Sequence, residues 1–188
     1  VSHPHPAPND YRIGATLYDE NAIRQRVREL ASEVSSLYAG LEVTLVSILK
    51  GSFIFLADLT RALAIPARVD FLGVSSYRGA ESSERIEWTT RLTSPVAGRH
   101  VLVVEDIVDT GRTLSVILDY LRDEAPASLR LCAFLDKPSR RVTPVDVDLV
   151  GFAIPDCFVV GYGLDYDGWY RHLPYIAVLE RDAEPVGK

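Results

Sequence analysis

Methionine is absent from this 188-residue chain, cysteine occurs twice and histidine four times. The missing methionine suggests that the first residue, Val1, is not the translation start. Cys132 and Cys157 sit in apolar stretches and are too few for a disulfide scaffold; they read as small hydrophobes in a reducing compartment. Four histidines and two separated cysteines make no zinc pattern. No apolar run is long enough to span a bilayer, and the opening VSHPHPAPNDYRIG has no apolar signal core, so the expected place is the cytoplasm, with no membrane partner. Positive charge is also scarce. The net charge of -6 and a pI near 5.2 disfavour a nucleic-acid binder, which normally shows a basic face, although a local basic patch stays possible.

What is present is apolar material: 47% of residues are hydrophobic, enough for one good core, so the chain reads as one domain with an appendage. Residues 1–10, rich in Pro and His, read as a flexible tail, with His3 and His5 at most a weak metal pair. Ile23, Val27, Leu30, Val34 and Leu37 recur in steps of four and three, which predicts a helix over 18–37 ended by Gly40. Residues 43–49 are nearly all apolar, a strand buried on both faces. A turn at Lys50-Gly51-Ser52 leads to a helix over 53–63, then a strand over 68–73. Residues 75–91 are polar and long for a plain connection, the pattern of a mobile lid or an unstructured loop, with Thr89–Leu92 expected to extend one side as a ribbon. Further strands are expected at 100–104, 128–135, 148–154 and 175–180, with a helix at 113–123. Alternating strands and helices with near-continuous apolar strands predict an α/β fold, a parallel sheet flanked by helices.

Ligands of such sheets bind beyond the carboxyl ends of the strands. Lys50-Gly51, residues 105–113 and Asp136-Lys137 each follow a strand and therefore converge on one rim. The string VLVVEDIVDTGRTLS, residues 101–115, carries the most chemistry. Two adjacent acids at a strand end are costly unless a cation or hydroxyl meets them. Thr110, Gly111 and Thr113 supply hydroxyls, close backbone approach and a helix start, the parts of a phosphate cradle.

This string resembles the phosphoribosyl-pyrophosphate motif of the type I phosphoribosyltransferases. ILKGSFIFLADL resembles the first loop of their hypoxanthine-guanine branch, SSY the opening of its lid, FLDKPSRR its purine-reading lysine segment and VGFAIPDCFVVGYGLDY the segment that closes over the base. The resemblance runs from about Tyr11 to Leu179. It implies the type I phosphoribosyltransferase fold, with a domain over 11–180, a core over about 17–155, and a small hood over the C-terminal strand ends from about 11–16 and 156–175. Residues 75–91 become the mobile lid, opening at Ser76 and Tyr77, and 181–188 a C-terminal tail.

Roles follow by the same resemblance. Glu105 and Asp106 bind the ribose hydroxyls, directly and through magnesium. Asp109 faces N7 of the purine and exchanges its proton. Thr110, Gly111, Arg112 and Thr113 hold the 5′-phosphate. Leu49, Lys50 and Gly51 bind pyrophosphate, with a cis peptide often found at Leu49-Lys50, and Arg171 touches pyrophosphate too. Lys137 donates to the 6-oxo oxygen, Phe158 stacks on the base, and the Val159 backbone meets its edge. Asp165 belongs to the purine side and helps hold a second magnesium. Read only as residues, Lys137 could be a solvated lysine, Phe158 plain core and Asp165 a loop acid.

The implied reaction takes phosphoribosyl pyrophosphate and hypoxanthine or guanine to IMP or GMP and pyrophosphate, with Mg2+ as cofactor and no nucleic acid as partner. A xanthine-preferring enzyme and a phosphoribosyl-pyrophosphate-sensing regulator of nucleic acid are the alternatives. Phe53, Ile54 and Phe55 in a row leave one apolar side chain facing outward from any helix, consistent with the homodimer or homotetramer usual in the family.

Overall fold

The structure, a computed structural model, describes residues 11–77 and 85–181. The expected N-terminal tail, all of the expected C-terminal tail but Arg181, and the centre of the expected lid lie outside these. The elements run β1 (Tyr11–Tyr18), α1 (Glu20–Leu37), β2 (Val43–Leu49), α2 (Phe53–Ala62), β3 (Ala67–Tyr77), β4 (Arg85–Thr90), β5 (His100–Val108), α3 (Arg112–Asp123), β6 (Ser128–Asp136), β7 (Leu149–Ala153), β8 (Val159–Val160) and β9 (Ile176–Arg181).

Six strands form one sheet in the order β4-β3-β2-β5-β6-β7, parallel except for β4. Period-two alternation divides its apolar residues between two faces. Val43 and Leu45 of β2, Leu102 and Val104 of β5, and Phe134 of β6 face Ile23, Val27, Leu30 and Val34 of α1 and Phe55 and Leu59 of α2. Val46, Val101, Val103, Leu131 and Ala133 face Leu114, Ile117, Leu118 and Leu121 of α3. Both faces are dry, as the unbroken apolar runs require, and each fully buried leucine contributes about 1.5–3 kcal/mol. Among the described residues no helix is long and apolar enough to cross a membrane.

A second sheet of three antiparallel strands, β1-β9-β8, joins both ends of the described chain into a hood. Tyr162 and Phe134 lie 4.8 Å apart between ring centroids, and Phe134 meets Phe55 at 4.9 Å, so one aromatic cluster joins hood, sheet and α2. The Tyr162 hydroxyl donates to Asp58 at 2.8 Å.

Several boundaries differ from the sequence expectations. The first helix starts at Glu20, not at 18, because Asp19 is its cap: its carboxylate accepts the Ala22 N–H at 2.8 Å. Residues 11–18 form an edge strand, and β9 extends the hood to Arg181, beyond the 156–175 expected. Residues 75–91 are not one long loop. Their flanks are an antiparallel ribbon in which Ser76 pairs with Ile86 and Tyr77 with Arg85. Its base is pinned to α3 by Trp88 and Tyr120, 4.6 Å apart. The ribbon is an edge held by backbone pairing, so its polar side chains gave no strand periodicity. Both cysteines are free, Cys132 buried and Cys157 half-buried. Phe53 at the start of α2 is 44% exposed, the outward apolar residue that the Phe-Ile-Phe run implied.

Candidate active site

The carboxyl ends of β2 and β5, neighbours in the sheet, open into a cleft of about 340 Å³. Its walls are Leu49, Lys50 and Gly51 after β2, Glu105 and Asp106 within β5, residues 109–113 after it, and Asp165 with Arg171 from the hood. Twelve residues singled out from the sequence thus share one cavity.

The loop after β2 has little slack. The Leu49-Lys50 peptide is cis. Buried Ser52 turns its hydroxyl back to the carbonyl of Ile48 and to Ser47 Oγ, 2.6 Å away. A side chain on Gly51 would begin 1.6 Å from an Asp106 oxygen, and one on Gly163 would begin 2.1 Å from the Gly51 carbonyl. The loop is therefore held between an acid of β5 and a glycine of the hood, and only glycine fits at either place.

After β5 the chain turns through Gly111 at φ +82° and enters α3. A Cβ there would lie 2.4 Å from the Thr143 carbonyl. The helix has no side-chain cap and no acid in its first turn. Such a helix end offers main-chain N–H groups and a positive dipole to an anion.

Glu105 and Asp106 stand at the floor. Burial, then the charge of Asp106, pushes Glu105 well above the ordinary carboxylate range. Burial pushes Asp106 up to about 6, against the bond its carboxylate accepts from the Ile107 N–H at 2.8 Å. Glu105 Oε2 is buried without a hydrogen-bond partner among the described residues. Two crowded acids with an orphaned oxygen, only partly offset by the charge of Arg171, form a site that favours a cation. Opposite them, Asp165 pairs with Arg171 at 2.7 Å and accepts the Gly168 N–H at 2.7 Å. Arg171 also donates to the Gly163 carbonyl at 2.6 Å.

The base side adjoins this cleft. Lys137, only 6% exposed, holds its ammonium 3.7 Å from Asp109 Oδ2. Phe158 is 52% exposed, so it is not plain core; its ring and that of Tyr166 make a T-shaped pair, 5.7 Å between centroids. The Val159 side chain is buried in the core, which leaves only its main chain for a ligand. Ser76 and Tyr77 lie on β3, beyond Val74, which borders the cleft.

A larger groove of about 680 Å³ lies between α1, α2 and Leu173-Pro174. Its acids already have partners, Glu20 with Arg24 and Asp58 with Arg61. The acid pair and the phosphate-type loop are both in the smaller cleft, which is therefore the candidate active site.

Residues 14–167 match the phosphoribosyl transferase domain family. The hypoxanthine phosphoribosyltransferase of Salmonella typhimurium is 47% identical over 160 residues, covering 84% of this chain and 90% of that protein. The hypoxanthine-guanine phosphoribosyltransferase of Aquifex aeolicus is 46% identical over 166 residues, 87% of this chain and 93% of that one. The crystal structure of a hypoxanthine-guanine phosphoribosyltransferase from Bacillus anthracis matches with a TM-score of 0.85 at 37% identity, over 91% of this chain and 100% of that one. The chain belongs to the hypoxanthine(-guanine) phosphoribosyltransferase family.

Its α/β architecture, a largely parallel sheet under a hood, is the type I phosphoribosyltransferase fold. For a phosphoribosyltransferase the acid pair has a clear use. A hard divalent cation prefers carboxylate and substrate oxygens, and Glu105 and Asp106 present such oxygens where a cation is favoured. The donor set thus fits magnesium completed by substrate, since no group of three or more potential ligands gathers among the described residues.

Sequence reasoning passed over two residues. Arg141, half-buried, donates to the Asp109 carbonyl at 2.7 Å and pairs with Asp136. It ties the segment after β6 to the loop after β5, as do the Val142 and Thr143 N–H groups, both bonded to the Thr110 carbonyl at 3.0 Å. Arg140 donates from Nε to Asp109 Oδ1 at 3.0 Å. The only advance sign of either was the doubled charge of Pro-Ser-Arg-Arg.

Proposed function

We propose that the protein is a purine salvage enzyme that transfers the 5-phosphoribosyl group from phosphoribosyl pyrophosphate to N9 of hypoxanthine or guanine, giving IMP or GMP and pyrophosphate. One observation carries this reading. Asp109 lies between a buried lysine suited to a 6-oxo group and a loop suited to a phosphate.

The 5′-phosphate sits on the main chain of 110–113 at the start of α3. Glu105 and Asp106 take the ribose hydroxyls, and Leu49, Lys50, Gly51 and Arg171 take the pyrophosphate. Magnesium at Glu105 and Asp106, and a second ion at Asp165, each completed by substrate oxygens, would neutralise charge on the departing pyrophosphate. Phe158 stacks on the base, the Val159 main chain meets its edge, and Lys137 donates to the 6-oxo oxygen. A 6-amino purine offers that ammonium no comparable acceptor, so adenine is rejected. In the N7–H tautomer N9 has a free lone pair. As N9 bonds to the ribosyl carbon and the pyrophosphate oxygen leaves, the N7 proton becomes acidic and passes to Asp109. The ribbon bearing Ser76 and Tyr77 borders the cleft and would shield the cationic ribosyl centre from water. The protein works in the cytoplasm as a homodimer or homotetramer, and the exposed Phe53 is consistent with a partner surface.

The test is turnover of hypoxanthine, guanine, xanthine and adenine with phosphoribosyl pyrophosphate and magnesium. Rapid inosinate or guanylate formation with adenine inert is expected. Preference for xanthine would keep the mechanism and move the substrate. No turnover by a folded protein that still binds phosphoribosyl pyrophosphate would overturn the reading in favour of a regulator. Asp109→Ala is expected to lower turnover about 100-fold or more while nucleotide affinity changes little. Equal losses in both would make Asp109 a turn residue only.

A further inference from the structure

We infer that Arg140 is a positioning residue for Asp109, holding one carboxylate oxygen in place so that the other is presented to the purine. The inference rests on the proposed 6-oxopurine reaction and assigns it a residue with no role so far.

The local fold explains how Arg140 reaches its place. Pro138–Arg140 is a single 3₁₀ turn, and the Arg140 N–H bonds to the Lys137 carbonyl at 3.0 Å. In such a turn, side chains three positions apart lie on one side. Lys137 and Arg140 therefore approach the same carboxylate from the same strand end. The ammonium stands 3.7 Å from Oδ2, and the guanidinium Nε donates to Oδ1 at 3.0 Å. Arg141 holds the Asp109 main-chain carbonyl rather than its side chain.

These two contacts are not equivalent. The Lys137 contact is longer than a hydrogen bond, and the ammonium is the group with a second task, at the 6-oxo oxygen. Arg140 makes the true hydrogen bond, charge-assisted on both sides. When the base enters, Lys137 turns to the 6-oxo oxygen and vacates Oδ2. Oδ1 stays bonded to Arg140, so Oδ2 alone faces the N7 proton. The same Nε lies 3.6 Å from Asp156 Oδ1, an ion pair longer than a hydrogen bond to a residue two before Phe158. Proton acceptor and stacking ring are thereby set relative to each other through one guanidinium. Arg140 is outside the walls of the phosphate cleft, so its effect should be confined to the base half-reaction.

Arg140→Gln is tested by single-turnover nucleotide formation, in the wild-type background and on Asp109→Asn, with phosphoribosyl pyrophosphate affinity and thermal unfolding measured on each variant. In the wild-type background the rate should fall about tenfold, the scale of one lost charge-assisted hydrogen bond, with phosphoribosyl pyrophosphate affinity unchanged. On Asp109→Asn the same change should cost less than about twofold, because the carboxylate it serves is gone. Equal losses in the two backgrounds, or a matching loss of phosphoribosyl pyrophosphate affinity, would overturn the role and leave Arg140 a structural contact. A wild-type protein that turns over no 6-oxopurine would overturn the reaction itself, and this role with it.

Discussion

Replacing Asp106 by Asn should make the ligand-free protein more stable while destroying its activity. In the folded cleft burial raises the Asp106 carboxyl from 3.8 to about 6. Below about pH 3.8 the group is protonated folded or unfolded and costs nothing. Between there and about pH 6 the unfolded chain ionises first, so the fold loses stability as pH rises, and above that the penalty is complete. At 1.36 kcal/mol per unit the ceiling is about 3 kcal/mol. Water in the open cleft lowers this, giving a range of about 1–3 kcal/mol and a melting temperature higher by roughly 2–12 °C at pH 8. Asparagine keeps an oxygen for the Ile107 N–H, so that bond is not lost with the charge. Thermal denaturation of both proteins from pH 4 to 8 is the assay. The stabilisation should shrink towards zero near pH 4, and magnesium with phosphoribosyl pyrophosphate should stabilise the wild type more than the variant. No gain at pH 8, or the same gain at pH 4, would refute the claim that burying the Asp106 carboxylate costs the fold stability.

Two further outcomes follow from geometry already described. Gly163→Ala places a methyl 2.1 Å from the Gly51 carbonyl at φ +100°, so it should cost about 1–3 kcal/mol in urea unfolding and weaken pyrophosphate binding, since the hood must move off the loop. Lys137→Ala should raise KM for hypoxanthine about tenfold or more with phosphoribosyl pyrophosphate affinity nearly unchanged; an equal loss of both would place the lysine elsewhere in the cycle.

The strands that carry the site were legible because burial on both faces leaves a continuous apolar run, as in Val43–Leu49. Loop positions followed from the strand ends, which is why residues after β2, β5 and β6 could be grouped before any geometry was known, whereas Asp165 and Arg171 of the hood were reached only through the family resemblance. The edge elements were not legible. Tyr11–Tyr18 and Arg85–Thr90 are held by backbone bonds to one neighbour, and neither sequence carries the unbroken apolar run of a strand buried on both faces. The exposure of Phe158 was also hidden, since an aromatic residue in a strand reads the same whether it packs or waits for a ligand. Arg140 and Arg141 were invisible for another reason. The direction of Arg140 depends on a 3₁₀ turn and on a carboxylate 31 residues away, and that of Arg141 on a main-chain carbonyl 32 residues away, and charge alone encodes neither.

The layering of the site has an evolutionary corollary. The groups assigned to phosphate and ribose come mainly from the ends of β2 and β5 in the middle of the large sheet, whereas Phe158 and Val159 come from the hood. The two layers meet where Gly163 lies on Gly51 and where Asp165 and Arg171 of the hood line the phosphate cleft. Mutations around Phe158, away from those contacts, can therefore explore new nucleobases while the ribosyl-transfer apparatus beneath keeps its geometry. Innovation in substrate range is cheap in this design, and innovation in the transferred group is not.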